Sequence, residues 1–148
     1  MKGRTTPSIY EYVAASMITI ATVWLWAQAS IHIPGFFGAA PPALVTAASY
    51  GFYTLGCAAA SYMVLNKTGN REVMTGLKVG AFSFVASSLY YSASSGVNPN
   101  LIAAMFFSFT MGGPLGAIAR IKQDARAGEA RAVDTDDEPD DDSADSEG

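Results

Sequence analysis

The chain has 148 residues, 50% of them hydrophobic and 15% charged, and the charges lie almost wholly outside a few long apolar runs. Four segments, 13–33, 43–65, 76–95 and 101–119, each have about the length that a hydrocarbon core of roughly 30 Å requires, and no remaining piece is long enough to bury a core of its own. The formal charge of −4 hides two regions, since residues 1–132 carry 9 basic and 4 acidic side chains while 133–148 carry 9 acidic and no basic ones.

Span one follows a short start containing Lys2 and Arg4. Tyr10 and Tyr12 fall at its inner boundary, where amphipathic rings prefer the headgroup level. The run Val13 to Trp26 followed by Ala27-Gln28-Ala29 also has the parts of a cleaved secretory leader. Glu11 spoils the basic flank of such a leader, and apolar character persists through Ile31 and Ile33, which favours a full span. Trp24 and Trp26 fall near mid-span by count, which assigns them to ring packing between helices rather than to anchoring. The connection Pro34-Gly35-Phe36-Phe37-Gly38 is apolar and is expected to lie, without helical structure, against the outer interface. Pro41 and Pro42 suit the first turn of the next helix.

In span two, Ser49, Tyr53, Gly56 and Ala60 share one helix face. Span three carries the pair Gly76 and Gly80, then Ser83, Ser87, Tyr90 and Ser94 along one stripe. Span four repeats the theme with Gly112, Gly113 and Gly116, and Pro114 among them removes an amide. In lipid, small residues let backbones approach and hydroxyls bridge helices. Gly76, Gly80, Ser83, Ser87, Gly112 and Gly116 are therefore the expected helix-packing residues. After Arg120 the helix is expected to continue through Ile121 to Ala127 until Gly128 weakens it. Beyond Val133, Asp134, Asp136, Asp137, Glu138, Asp140, Asp141 and Asp142 sit in a segment that cannot bury apolar surface and is expected to be disordered.

The reading that follows is an all-α integral membrane protein of four transmembrane helices with a disordered acidic C-terminal tail. Its parts are a cytoplasmic N-terminus (1–12), a four-helix transmembrane domain (13–121) and a cytoplasmic basic-then-acidic disordered tail (122–148). Lys2, Arg4, Lys67, Arg71, Lys78, Arg120, Lys122, Arg126 and Arg131 all fall on one side, and the two opposite connections hold no charge. The positive-inside rule then places both termini in the cytoplasm of a cell with its plasma membrane as host. Arg120, Lys122, Arg126 and Arg131 are expected to meet anionic lipid headgroups, each contributing about 1 kcal/mol near the surface. The acids from Asp134 to Asp142 are expected to be repelled by that lipid and to be free for a basic cytoplasmic protein.

Enzyme chemistry finds little to build on. The centres of the four spans contain no Asp, Glu, Lys or Arg, which argues against a carboxylate proton relay. One Cys, Cys57, and one His, His32, supply neither an internal disulfide nor a zinc cluster. Gln28 and His32 share a face near the outer surface, where a lone His is read first as an ordinary interfacial side chain. No Gly-x-Ser-x-Gly elbow, Walker loop or His-Glu-x-x-His helix is present. An EF-hand frame opened at Asp134 puts Pro139 where Gly is needed and Asp145 where Glu is needed. No cofactor, metal or nucleic-acid partner is expected.

The layout resembles small four-span membrane proteins carried by actinobacterial phages and plasmids, including plasmid-spread proteins, holins and exclusion factors. The residues that carry it are the start Met1-Lys2-Gly3-Arg4, the short uncharged outer connections, the Ala/Ser/Gly-rich spans and the stretch 125–132 before an acidic end. The Gly/Ser/Ala faces and the acidic tail are read as those of a non-enzymatic scaffold, recruiter or regulator that pairs with itself or with another membrane protein and presents its tail, and the resemblance implies a role in phage exclusion or plasmid spread. A rival reading of the residues is a pore former of the holin type, in which the hydroxyl stripe Ser83, Ser87, Tyr90 and Ser94 faces water after oligomerisation. The uncharged spans leave a third reading open, a small channel or carrier for a neutral solute.

Overall fold

Short local signals set every helix boundary in the computed structural model, which describes residues 6–136. The first helix, α1 (Ile9–His32), opens where the Ser8 backbone N–H donates to Glu11 Oε2 at 2.6 Å, so the carboxylate satisfies an amide just outside the first turn. Ile33 and Pro34 then turn the chain into the short α2 (Pro34–Ala39). Pro42 is the first residue of α3 (Pro42–Thr68), as its fixed φ and missing N–H favour. That helix ends at Gly69, whose φ of 67° is the left-handed cap that other residues adopt at a cost. Asn70 Oδ1 accepts the Glu72 N–H at 2.7 Å and bends the chain into α4 (Val73–Ser95). Asn98 Oδ1 accepts the N–H groups of Asn100 and Leu101 at 3.1 and 3.3 Å, which caps α5 (Pro99–Asp136) with Pro99 at its first position.

The four long helices form an up-and-down bundle. The fifth helix packs most extensively against α3 and α4, and α1 lies on the other side against the same two. Helices α1 and α5 therefore occupy opposite corners. Two apolar clusters fill the interior. One joins Val23, Tyr53, Cys57, Tyr91, Met105 and Phe109, and a second, smaller one joins Ala15, Ala60, Val64 and Val79. Many other large side chains point the other way: Leu55, Leu89, Phe107 and Met111 are 69%, 68%, 58% and 63% exposed. An apolar girdle of that extent fits a lipid surround rather than water. All four long helices are long and apolar enough to cross a membrane, which makes the fold compatible with a multi-pass membrane protein.

Three local expectations are corrected. The connection after span one is helical as α2, because Pro34 starts it, the Phe37 N–H donates to the Ile33 carbonyl at 3.3 Å, and the Phe37 ring meets Trp26 edge-on at 5.4 Å. Trp26 accordingly belongs near the far end of α1 rather than at its middle, since α1 begins at Ile9. It does pack between helices, with Phe52 of α3 also 5.4 Å away. Trp24 does not: it is 49% exposed and walls an outward apolar groove with Met17, Ile20 and Tyr90. Finally, α5 runs through Gly128 without a break and on to Asp136, so residues 122–136, expected in a disordered tail, are helical. One glycine costs about 1 kcal/mol relative to alanine, and Ala125, Arg126, Ala127 and Glu129 around it are strong helix formers.

Candidate functional site

The packing seam comes first, because it fixes where everything else sits. A Cβ built on Gly76 would lie 2.5 Å from the Gly113 carbonyl oxygen, and one on Gly80 would meet that of Phe109. On its neighbouring face α5 meets α3 equally closely, where a Cβ on Gly112 would lie 2.5 Å from the Thr54 carbonyl oxygen and one on Gly116 would strike that of Ala58. Gly113 thus faces α4 while Gly112 and Gly116 face α3, and α5 is clasped on two sides. Two bonds to backbone carbonyls reinforce the α3 contact, from Cys57 Sγ to Phe109 at 3.6 Å and from Ser108 Oγ to Tyr50 at 3.2 Å.

All six residues expected to pack helices are buried inside this one chain. Such a face is closed to another molecule while the bundle is intact. Tyr90 and Ser94, placed by spacing on the Ser83–Ser87 stripe, are exposed instead, and Tyr91 turns inward with its hydroxyl donating to the Ile20 carbonyl at 3.4 Å. Four interior hydroxyls, those of Ser61, Ser83, Ser87 and Ser88, stand apart from this order among the described residues. Ser61, Ser83 and Ser87 are fully buried, and none of the four Oγ atoms has a hydrogen-bond partner among the described residues. Buried hydroxyls of this kind carry a cost unless something bonds them.

Every Asp, Glu, Lys and Arg of the described residues stands at or beyond one end of the bundle, except Lys78 in the second turn of α4 from that end. There Lys67 Nζ lies 3.7 Å from Glu11 Oε1 and links α3 to α1. Asp124 is the hub. It pairs with Arg120 one turn before it on α5, and its Oδ2 lies 3.3 Å from Arg71 Nε in the α3–α4 connection. The Tyr62 hydroxyl donates to Gln123 Oε1 beside it, so α3 and the connection both grip α5 where it leaves the bundle. Beyond that grip the helix continues. At 1.5 Å per residue its 38 residues span about 57 Å, nearly twice a hydrocarbon core.

The residues expected at lipid headgroups divide accordingly. Lys122 and Arg126 are exposed on the projecting helix, whereas the Arg120 side chain is only 16% exposed and is turned onto Asp124. Arg131, Asp134 and Asp136 continue the helix backbone. The remaining tail residues, Asp137, Glu138, Asp140, Asp141 and Asp142, lie outside the described residues, as do Lys2 and Arg4. His32 is exposed at the last turn of α1. Among the described residues, no group of three or more His, Cys, Asp or Glu side chains is placed to hold a metal ion. The Asp124 grip was missed by sequence reasoning, although Arg120 and Asp124 stand at the i, i+4 spacing that signals such a pair.

No protein-family model matches the chain, and comparison with curated proteins and with solved structures returns no match.

Proposed function

We propose that this chain is a non-enzymatic multi-pass protein of the plasma membrane, with its charged end in the cytoplasm, that holds out a recruiting arm. The observation that carries the reading is the continuity of α5 from a glycine-clasped position inside the bundle to Asp136, well past its charged end. A helix gripped at Asp124 and extended for a further three turns is a stiff spacer, and it points an acidic sequence away from anionic lipid. The chemistry at its tip suits a basic cytoplasmic protein. Such an arm would serve exclusion or spread functions of the kind found in the phage and plasmid proteins that the layout resembles.

The test is induced expression in a bacterial host, following membrane potential and dye entry, beside a variant lacking 133–148. A photo-crosslinking residue at Ser143 reports what the arm touches. Recruitment requires a stable potential, viable cells and a discrete crosslinked cytoplasmic protein. Absence of any crosslinked product would overturn it.

A holin-like pore is the second reading, and the unpartnered Ser61, Ser83 and Ser87 hydroxyls favour it. They would gain water as partners if the helices parted on oligomerisation. Rapid collapse of the potential with both the full chain and the 133–148 deletion would make the pore primary. In that case Ser83→Leu with Ser87→Leu must suppress dye leakage.

A further inference from the structure

The end of the bundle opposite the charges holds a cleft of about 440 Å³ between α3 and α5. Its size is that of a small-molecule site. Thr46, Ser49, Tyr50 and Tyr53 of α3 and Asn100 of α5 supply hydroxyl or amide groups to its walls, with Ala104 beside Tyr53 at the buried base. A polar lining of this density is unexpected between two helices whose other outward faces are Leu, Phe and Met.

The bonding inventory of those groups is specific. Thr46 and Ser49 donate their protons to the Pro42 and Val45 carbonyls at 2.9 and 2.8 Å, so within the cleft their oxygens serve as acceptors. Tyr53 is 4% exposed and its hydroxyl makes no hydrogen bond with the described residues. Asn100 is an exposed wall residue whose side-chain amide can offer both donors and an acceptor. A complementary ligand must therefore donate and accept in close alternation, as vicinal hydroxyls do. The ring faces of Tyr50 and Tyr53 would cover its C–H surface. Among the described residues no charged one lines the cleft, and a charged ligand would give up hydration there without a counter-charge.

We infer that this cleft is a binding site for a small neutral polyol, a sugar or cyclitol, held by Tyr53, Asn100, Thr46 and Ser49. The site is independent of the recruiting arm, which lies at the other end of the molecule.

Equilibrium dialysis of the full chain tests this, with radiolabelled myo-inositol and D-glucose as probes and choline and phosphate as charged controls. The detergent must lack a sugar headgroup, which would compete. Saturable binding of at least one polyol is expected, with neither control bound. Tyr53→Phe and Asn100→Leu should each weaken it by about tenfold, the weight of one hydrogen bond. Asn100 is exposed, so its substitution reads the site even if Tyr53→Phe disturbs folding, which helical circular dichroism monitors. Deleting 133–148 should leave binding unchanged. The proposal is overturned if neither polyol saturates, if a charged control binds equally well, or if binding is undiminished in Asn100→Leu.

Discussion

At Gly80 an added methyl group would land on the Phe109 carbonyl oxygen, whereas at Gly51, on the same kind of helix, it would meet nothing within 4 Å. The two positions should therefore answer alanine in opposite directions. Gly80→Ala forces α4 away from α5 and should cost about 1–3 kcal/mol, as overpacking does. Gly51→Ala only removes backbone freedom from the unfolded chain and should contribute about 0.5–1 kcal/mol of stability. Thermal unfolding of both variants in one detergent would decide; equal shifts would refute the close approach of α4 and α5. The serines give a second contrast at this scale. Ser108 donates to the Tyr50 carbonyl, so Ser108→Ala should cost about 1 kcal/mol. Ser87 has no partner among the described residues, and Ser87→Ala should be neutral or stabilising in the same assay. A large loss at Ser87 would mean that its hydroxyl is bonded after all.

The elements show how far a pattern of residues reaches. Helix existence was legible because runs of some twenty apolar residues admit little else in a bilayer, and the Gly76–Gly80 and Gly112–Gly116 pairs were legible because only small residues allow such approach. What could not be read was which face of which helix they would meet. Spacing put Tyr90 on the serine stripe, yet Tyr90 is exposed and Tyr91, four positions after Ser87, turns inward. Nor could spacing show that α2 forms, because its stability rests on a ring from another helix. The same limit hid Asp124, whose partner Arg71 is 53 positions away in sequence and adjacent only once α3 and α4 have folded back. The Asp124 pairs lie at the end of the bundle, away from its apolar interior, so Asp124→Asn should leave the bundle folded and loosen only the exit of α5. Trypsin should then cut after Arg120 and Lys122 several-fold faster, with Asn66 to Thr68 and the spans still protected. Unchanged cleavage would show that Tyr62 and the glycine seam alone hold the exit.

For the molecule as a whole, the governing asymmetry is that one end carries the charges and the other carries none among the described residues. Translocating a Lys or Arg across a bilayer centre costs at least about 2.5 kcal/mol each, and the retained loops are short enough for the bias to act. The charged end should therefore stay on the side of synthesis, and the α1–α3 and α4–α5 connections should cross. Cys57 makes this measurable without background, since it is fully buried and a thiol reagent reaches it only on unfolding. In intact cells, a membrane-impermeant maleimide should label Asn98→Cys directly, in the α4–α5 connection, and label Asn66→Cys at the charged end only after the membrane is opened. The reverse pattern would invert the molecule, putting the arm outside the cell and leaving it no cytoplasmic partner to recruit. Labelling of both positions in intact cells would instead mean dual insertion. Adding Lys at Gly96 and Asn98 should push the population toward such a mixture, because orientation in a chain this small rests on the difference between two charge sums.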